Sequence, residues 1–166
     1  MEVAVMGIDP GITGGMALIG TLRDGVCDLP VQTMVNSSRK EIVIDACELG
    51  RKLHEVKRQF TGSGRELVVY VERTQPMKDS AMTAFSMGQS RGIILAVLSV
   101  LKVPFVQVLP QKWKKFHGLV GCDKDASRTL AIQLYPDMAD FLKRKKDHNR
   151  AEALLIATYG SKMENR

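Results

Sequence analysis

Leu67-Val68-Val69-Tyr70-Val71-Glu72 is an apolar run without polar alternation, closed by an acid. So short and valine-rich a run reads as a strand buried on both faces, the kind found inside an α/β sheet. The same arrangement occurs once before it, where Val3 to Ile8 end in Asp9-Pro10-Gly11, an acid followed by a turn. Between these two runs, Met16 to Leu22 and Val26 to Val35 read as strands joined by Arg23-Asp24-Gly25, since Asp-Gly is a strong hairpin signal. Ser37-Ser38 then offers a helix N-cap, and Ile42, Ala46, Leu49, Leu53 and Val56 recur at helical spacing up to the break at Thr61-Gly62-Ser63-Gly64. Beyond Glu72 the patterning predicts a helix over Ser80 to Leu101, a short strand over Phe105 to Leu109, and helices over Asp125 to Leu134 and His148 to Tyr159. Pro110 to Lys124 reads as a surface connection. Strands that are first antiparallel and then alternate with helices predict an α/β fold: a mixed five-stranded sheet, three antiparallel strands first, flanked by helices.

The 166 residues, 45% hydrophobic and without internal repeat or low-complexity stretch, suit one domain over residues 1–166. No segment has the run of some 18 apolar residues expected of a membrane span, and Met1 leads almost directly into a core strand, so a soluble protein without a targeting peptide is expected. Cys27, Cys47 and Cys122 are odd in number and lack zinc-ligand spacing, which predicts reduced thiols rather than a disulfide framework. The 24 Lys and Arg residues against 18 Asp and Glu give a formal charge of +6, which favours an anionic partner such as nucleic acid.

A carboxylate at the end of a buried strand is costly without a partner, so Asp9 and Glu72 each need a metal, a base or a helix N-terminus. For Asp9 alone, ordinary Asp-Pro-Gly turn chemistry serves as well. If the two strands are neighbours, about 4.8 Å apart, their ends bring both acids close enough to share a divalent ion. A third contribution comes from the basic run Lys143-Arg144-Lys145-Lys146-Asp147, which leads into His148-Asn149-Arg150-Ala151-Glu152-Ala153. On a helix His148 and Glu152 share a face, and the alanines around Glu152 allow close approach to the sheet. Taken by itself, that pair would read as an exposed His-Glu contact; beside two strand-end acids it reads as a site. Oxygen-rich ligands with no cysteine among them suit Mg²⁺ or Mn²⁺ better than zinc. Two such ions would support phosphodiester hydrolysis without a covalent nucleophile or a small-molecule cofactor.

Asp9-Pro10-Gly11-Ile12-Thr13-Gly14-Gly15, Tyr70-Val71-Glu72-Arg73-Thr74-Gln75, Gly88-Gln89-Ser90-Arg91-Gly92 and Arg150-Ala151-Glu152-Ala153 resemble, in order and spacing, the RuvC-like Holliday-junction resolvases. The segment from Lys143 to Gly160 looks especially like the chloroplast resolvases and their bacterial and phage relatives. The resemblance implies a ribonuclease-H-like fold and a homodimer that nicks four-way DNA junctions symmetrically in recombination and repair or in genome segregation. It makes Asp9, Glu72 and Glu152 the metal-binding acids. Where many relatives carry a carboxylate three residues before the last acid, this chain has Asn149; His148 is taken as the remaining ligand or as the group that positions water, with Asp147 in reserve. Lys112 would match a basic residue near the scissile phosphate, and Gln75 or Met77 would enter the junction centre. Lys114, Lys115, Lys124, Arg128, Lys143, Arg144, Lys145 and Lys146 are the remaining candidates for phosphate contacts. The apolar helix from Ser80 to Leu101 is either a core helix or the dimer interface. His54 and His117 receive no role. The implied setting is the bacterial or phage cytoplasm, or the chloroplast stroma and its nucleoid.

Three other readings remain. A sugar-kinase-like ATPase also opens with an aspartate strand and a glycine-rich turn, but it needs a second half that this chain is too short to hold. A ribonuclease-H-like enzyme acting on RNA shares the metal chemistry, and a binding-only module shares the basic face.

Overall fold

The computed structural model describes residues 3–21, 24–36, 39–60, 64–73 and 81–165, without the side chains of Asn36 and Lys124. The elements in order are β1 (Val3–Asp9), β2 (Gly15–Ile19), β3 (Gly25–Asp28), β4 (Val31–Asn36), β5 (Arg39–Ile44), α1 (Ala46–Phe60), β6 (Glu66–Glu72), α2 (Ala81–Val100), β7 (Phe105–Val108), α3 (Pro110–Phe116), α4 (Lys124–Leu134) and α5 (His148–Glu164). Five strands form one sheet in the order β3-β2-β1-β6-β7. β1, β2 and β3 are mutually antiparallel, while β6 runs parallel to β1 and β7 parallel to β6. This is the expected mixed sheet. Its central strands are apolar because both of their faces are covered.

On one face Met6, Ile8, Val69 and Val71 pack with Leu49 and Leu53 of α1 and Ile94 and Leu98 of α2. On the other, Val5, Val68 and Tyr70 pack with Trp113 of α3, Ala131 of α4 and the Ala151–Ala157 stretch of α5. α5 approaches the sheet so closely that a Cβ on Gly7 would lie 2.0 Å from the Ala153 carbonyl oxygen, and one on Gly15 would lie 2.8 Å from the Arg150 Cα. The helix can do this because Ala151, Ala153 and Ala157 are small and wholly buried. Its first turn is anchored by a fork from Arg150 to Asp28 at the end of β3, with Nε to Oδ1 at 2.5 Å and Nη2 to Oδ2 at 2.7 Å.

Three expectations are corrected. The strand expected over Val26 to Val35 breaks at Leu29-Pro30, where Leu29 is buried and its N–H donates to the Gly14 carbonyl. Beyond the break, β4 leaves the main sheet and pairs only with β5, from Val31↔Ile44 to Asn36↔Arg39. The helix expected from Ser37 therefore begins at Ala46, where the Asp45 side chain accepts the Glu48 N–H at 2.9 Å as an N-cap. Ile42, counted above in its apolar stripe, is 52% exposed on the ribbon. Finally, Pro110 to Lys124 is not a plain surface connection: Pro110 opens α3, its fixed φ suiting a first helical position, and Trp113 is completely buried.

By length and composition α2 is apolar enough to cross a membrane, and only 17% of its most apolar window is buried. Ser90, Ile94 and Leu98 pack inward, leaving Met82 and Phe85 exposed.

Candidate active site at the carboxyl ends of the central strands

The parallel register of β1 and β6 pairs Ile8 with Val71, so the next residues, Asp9 and Glu72, end adjacent strands side by side. The close fit of α5 on β1 sets its first turns beside them. The result is a cleft of about 660 Å³ lined by Asp9, the loop Pro10 to Gly14, Glu72, His148, Asn149 and Glu152. Met82, Thr83, Ser86 and Met87 of α2 form its other wall. The four residues singled out from the sequence therefore share one cleft.

Glu72 accepts a hydrogen bond from Trp113 Nε1–H at 2.7 Å. Burial pushes its carboxyl above the ordinary range; the indole bond opposes that rise, the negative Glu152 adds to it and Lys114 opposes it. Glu152 accepts from Ser127 Oγ at 3.4 Å, and Lys114 Nζ lies 3.7 Å from the same oxygen. Lys114 also stands 5.1 Å from the centre of the Trp113 ring. Successive residues of α3 thus supply a neutral donor to one acid and a cation to the other. Lys114 is the lysine beside Glu152, while Lys112, also on α3, is exposed.

At the helix start, His148 Nδ1–H donates to the Lys145 carbonyl at 3.1 Å, so Nε2 is the ring nitrogen that this turn does not use. Asn149 donates through Nδ2 to the Thr13 carbonyl at 2.5 Å and lies 3.2 Å from Thr13 Oγ1, clasping the glycine-rich loop to α5. Asp147, the reserve candidate, is only 3% exposed and accepts from the Arg144 backbone N–H and from Arg144 Nη2, each at 2.8 Å. The Arg144 hydrogen bonds hold its carboxyl below the usual range. Its oxygens serve the turn, so it leaves the set of candidate ligands.

Asp9, Glu72 and Glu152 with the His148 imidazole are an oxygen-rich donor set that fits Mg²⁺ or Mn²⁺. Among the described residues no three His, Cys, Asp or Glu groups close on a common point as a metal site. The fit therefore rests on the chemistry of the donors.

The basic candidates divide. Lys115, Lys145 and Lys146 are exposed like Lys112. Lys143 pairs with Asp140 at 2.8 Å on the surface. Arg128 is a correction: its guanidinium bonds Asp125 and the carbonyls of Leu142 and Lys143, so it ties α4 to the following turn rather than facing a phosphate. Arg144 is largely engaged by Asp147. Gln75 and Met77 lie outside the described residues, as does the Lys124 side chain. Sequence reasoning missed Trp113 as the partner of Glu72, Ser127 beside Glu152 and Thr13 as the target of Asn149. A lone tryptophan among lysines was the available signal for Trp113, since so large an apolar ring seeks burial. His54 is exposed on α1, and His117 Nε2–H donates to the Leu155 carbonyl at 2.9 Å, tying α3 to α5.

No family model matches the chain. It is 37% identical over 82 residues to the chloroplastic Holliday junction resolvase MOC1 of Chlamydomonas reinhardtii, a match covering 49% of this chain and 9% of that much longer protein. It is 26% identical over 156 residues to the crossover junction endodeoxyribonuclease RuvC of Agrobacterium fabrum, covering 93% of this chain and 86% of the relative. Among solved structures, Thermus thermophilus RuvC in complex with a Holliday junction substrate superposes with a TM-score of 0.56 at 17% identity, over 98% of this chain and 96% of that one. A second Thermus thermophilus RuvC structure gives 0.53 at 22% identity, over 97% and 96%. At those identities the superpositions establish a shared fold.

Proposed function

We propose that this chain, similar over most of its length to the RuvC resolvases, resolves four-way DNA junctions as a metal-dependent endodeoxyribonuclease. The observation that carries the proposal is the single cleft in which the strand-end acids Asp9 and Glu72 meet His148 and Glu152 of α5. Asp9, Glu72 and Glu152 would hold two Mg²⁺ or Mn²⁺ ions, with His148 Nε2 either completing a coordination shell or orienting the attacking water. Ions bound there would supply Lewis acidity, making a bound water more acidic and stabilising charge on the attacking and leaving oxygens. Lys114, beside Glu152, presents a cation to the scissile phosphate, while Lys112, Lys115, Lys145 and Lys146 grip the neighbouring backbone. Gln75 or Met77 is proposed to enter the junction centre.

A four-way junction has two-fold symmetry, and a two-fold pair of chains matches it. The exposed face of α2 is the proposed seat of that pairing: Gly88 and Gly92 sit there in open space, and Phe85 is 67% exposed. Residues 1–166 act as one nuclease domain. Its place is beside DNA in a bacterial or phage cytoplasm or a chloroplast stroma.

The test is cleavage of a synthetic four-way junction with Mg²⁺, with Mn²⁺ and with EDTA, beside linear duplex and RNA–DNA hybrid. Paired symmetric nicks on the junction alone, only with metal, are expected; Glu152→Gln and Asp9→Asn should bind the junction and leave it uncut. Cleavage of the hybrid would make the protein a ribonuclease, and binding without cleavage a junction-binding module.

A further inference from the structure

The two-stranded ribbon β4–β5 belongs to none of the machinery described so far. Its base lies level with the acids: Asp9 pairs with Gly15 and Gly15 with Asp28, after which the chain passes through Leu29-Pro30 into β4. The base is anchored by the Asp45 N–H donating to the Pro30 carbonyl at 2.9 Å and by Val43 and Ile44, 3% and 1% exposed. Past that anchor the ribbon is bare. Residues 31–35 of β4 are all exposed, as are Arg39, Lys40 and Ile42 of β5. Six residues of extended chain reach about 20 Å. An uncovered two-stranded ribbon is marginal by itself, so a surface of this kind is completed by something it binds.

We propose that this ribbon is an arm that grips the DNA flanking the cleavage site, with Arg39 and Lys40 on its phosphates. The proposal rests on the junction reading above. Three observations favour nucleic acid as the occupant. The arm leaves the body at the edge where the acids stand. Its far end is cationic, with Arg39 opposite Asn36 and Lys40 opposite Val35, so neither faces an acid across the strands. The one acid on the arm, Glu41, stands a step nearer the base, opposite Met34. A two-stranded ribbon also has the width that a DNA major groove admits, and there the exposed Val35 and Met34 would meet sugars and base edges.

The experiment is junction binding in Ca²⁺ across a salt series, comparing the wild type with the double variant Arg39→Ala/Lys40→Ala. The conservative pair Arg39→Lys/Lys40→Arg is carried beside it. Both positions are exposed, so melting temperatures should agree. Losing two phosphate contacts lowers the slope of log affinity against log salt by about 1.8 in magnitude. The conservative pair should restore it, and a junction with shortened duplex arms should erase the difference between wild type and alanine variant. An unchanged slope overturns the arm while leaving the nuclease reading intact. Loss of the dimer in the alanine variant would also overturn it, because the ribbon would then be packing on a second copy. Failure of the wild type itself to bind junctions withdraws the functional reading first, by a different readout.

Discussion

Glu72 shows how one side chain depends on another far away in sequence. Its carboxyl is buried enough to be pushed upward, and the hydrogen bond from Trp113 both opposes that shift and fixes which oxygen is left for the cleft. Trp113→Phe keeps an aromatic ring at this wholly buried position but removes the N–H together with part of the indole. We expect it to lower stability by roughly 2–4 kcal/mol, from the cavity left behind and from a buried acceptor losing its donor, and to raise severalfold the Mg²⁺ concentration for half-maximal cleavage. Junction affinity in EDTA should not move; an unchanged Mg²⁺ requirement would reduce Trp113 to packing alone. The acids themselves were legible in the sequence because a carboxylate ending an apolar run needs explaining. Trp113 was not, because its contact spans 41 residues and no local pattern encodes it. The choice among Asp147, His148 and Asn149 was likewise closed to sequence. Only the turn geometry shows Asp147 held by Arg144 and Asn149 clasping Thr13.

Among the elements, α5 and β1 fit so tightly that glycine at position 7 is a steric requirement. Gly7→Ala places a methyl 2.0 Å from the Ala153 carbonyl oxygen, so α5 must shift, at a cost of roughly 1–3 kcal/mol or more. Gly50→Ala in α1 is the contrast: its Cβ would meet Val97 at 3.8 Å, an ordinary contact, and mid-helix alanine should gain up to about 1 kcal/mol. Urea unfolding of the two variants should show opposite signs, and a stabilised Gly7→Ala would refute the close approach. β1 and β6 were readable as short apolar runs ending in acids, and α2 and α5 as apolar stretches too long for a strand. The ribbon was hidden twice. Pro30 sits inside what reads as a continuous strand, and Ile42, Ala46 and Leu49 mimic a helical stripe although Ile42-Val43-Ile44 is β-branched throughout.

The whole molecule carries a formal charge of +6 and leaves a long apolar helix mostly uncovered, two properties suited to a polyanion on one side and a second chain on another. Gly92→Arg tests the second. A Cβ at Gly92 meets nothing within 4 Å among the described residues, so the variant should fold as well as the wild type. It should nonetheless elute as a monomer in size-exclusion chromatography with light scattering and give no paired nicks. A dimeric Gly92→Arg would move the interface off that face of α2. The snug seating of α5 has a bearing on how this protein tolerates change. One helix serves both as spine of the interior and as mount for His148 and Glu152, leaving no slack between holding together and working. In a library of random variants, losses of cleavage should therefore gather at two kinds of position: the acids, and small residues such as Gly7, Ala153 and Ala157. The latter never meet a substrate, yet they set the distance at which the blade is held.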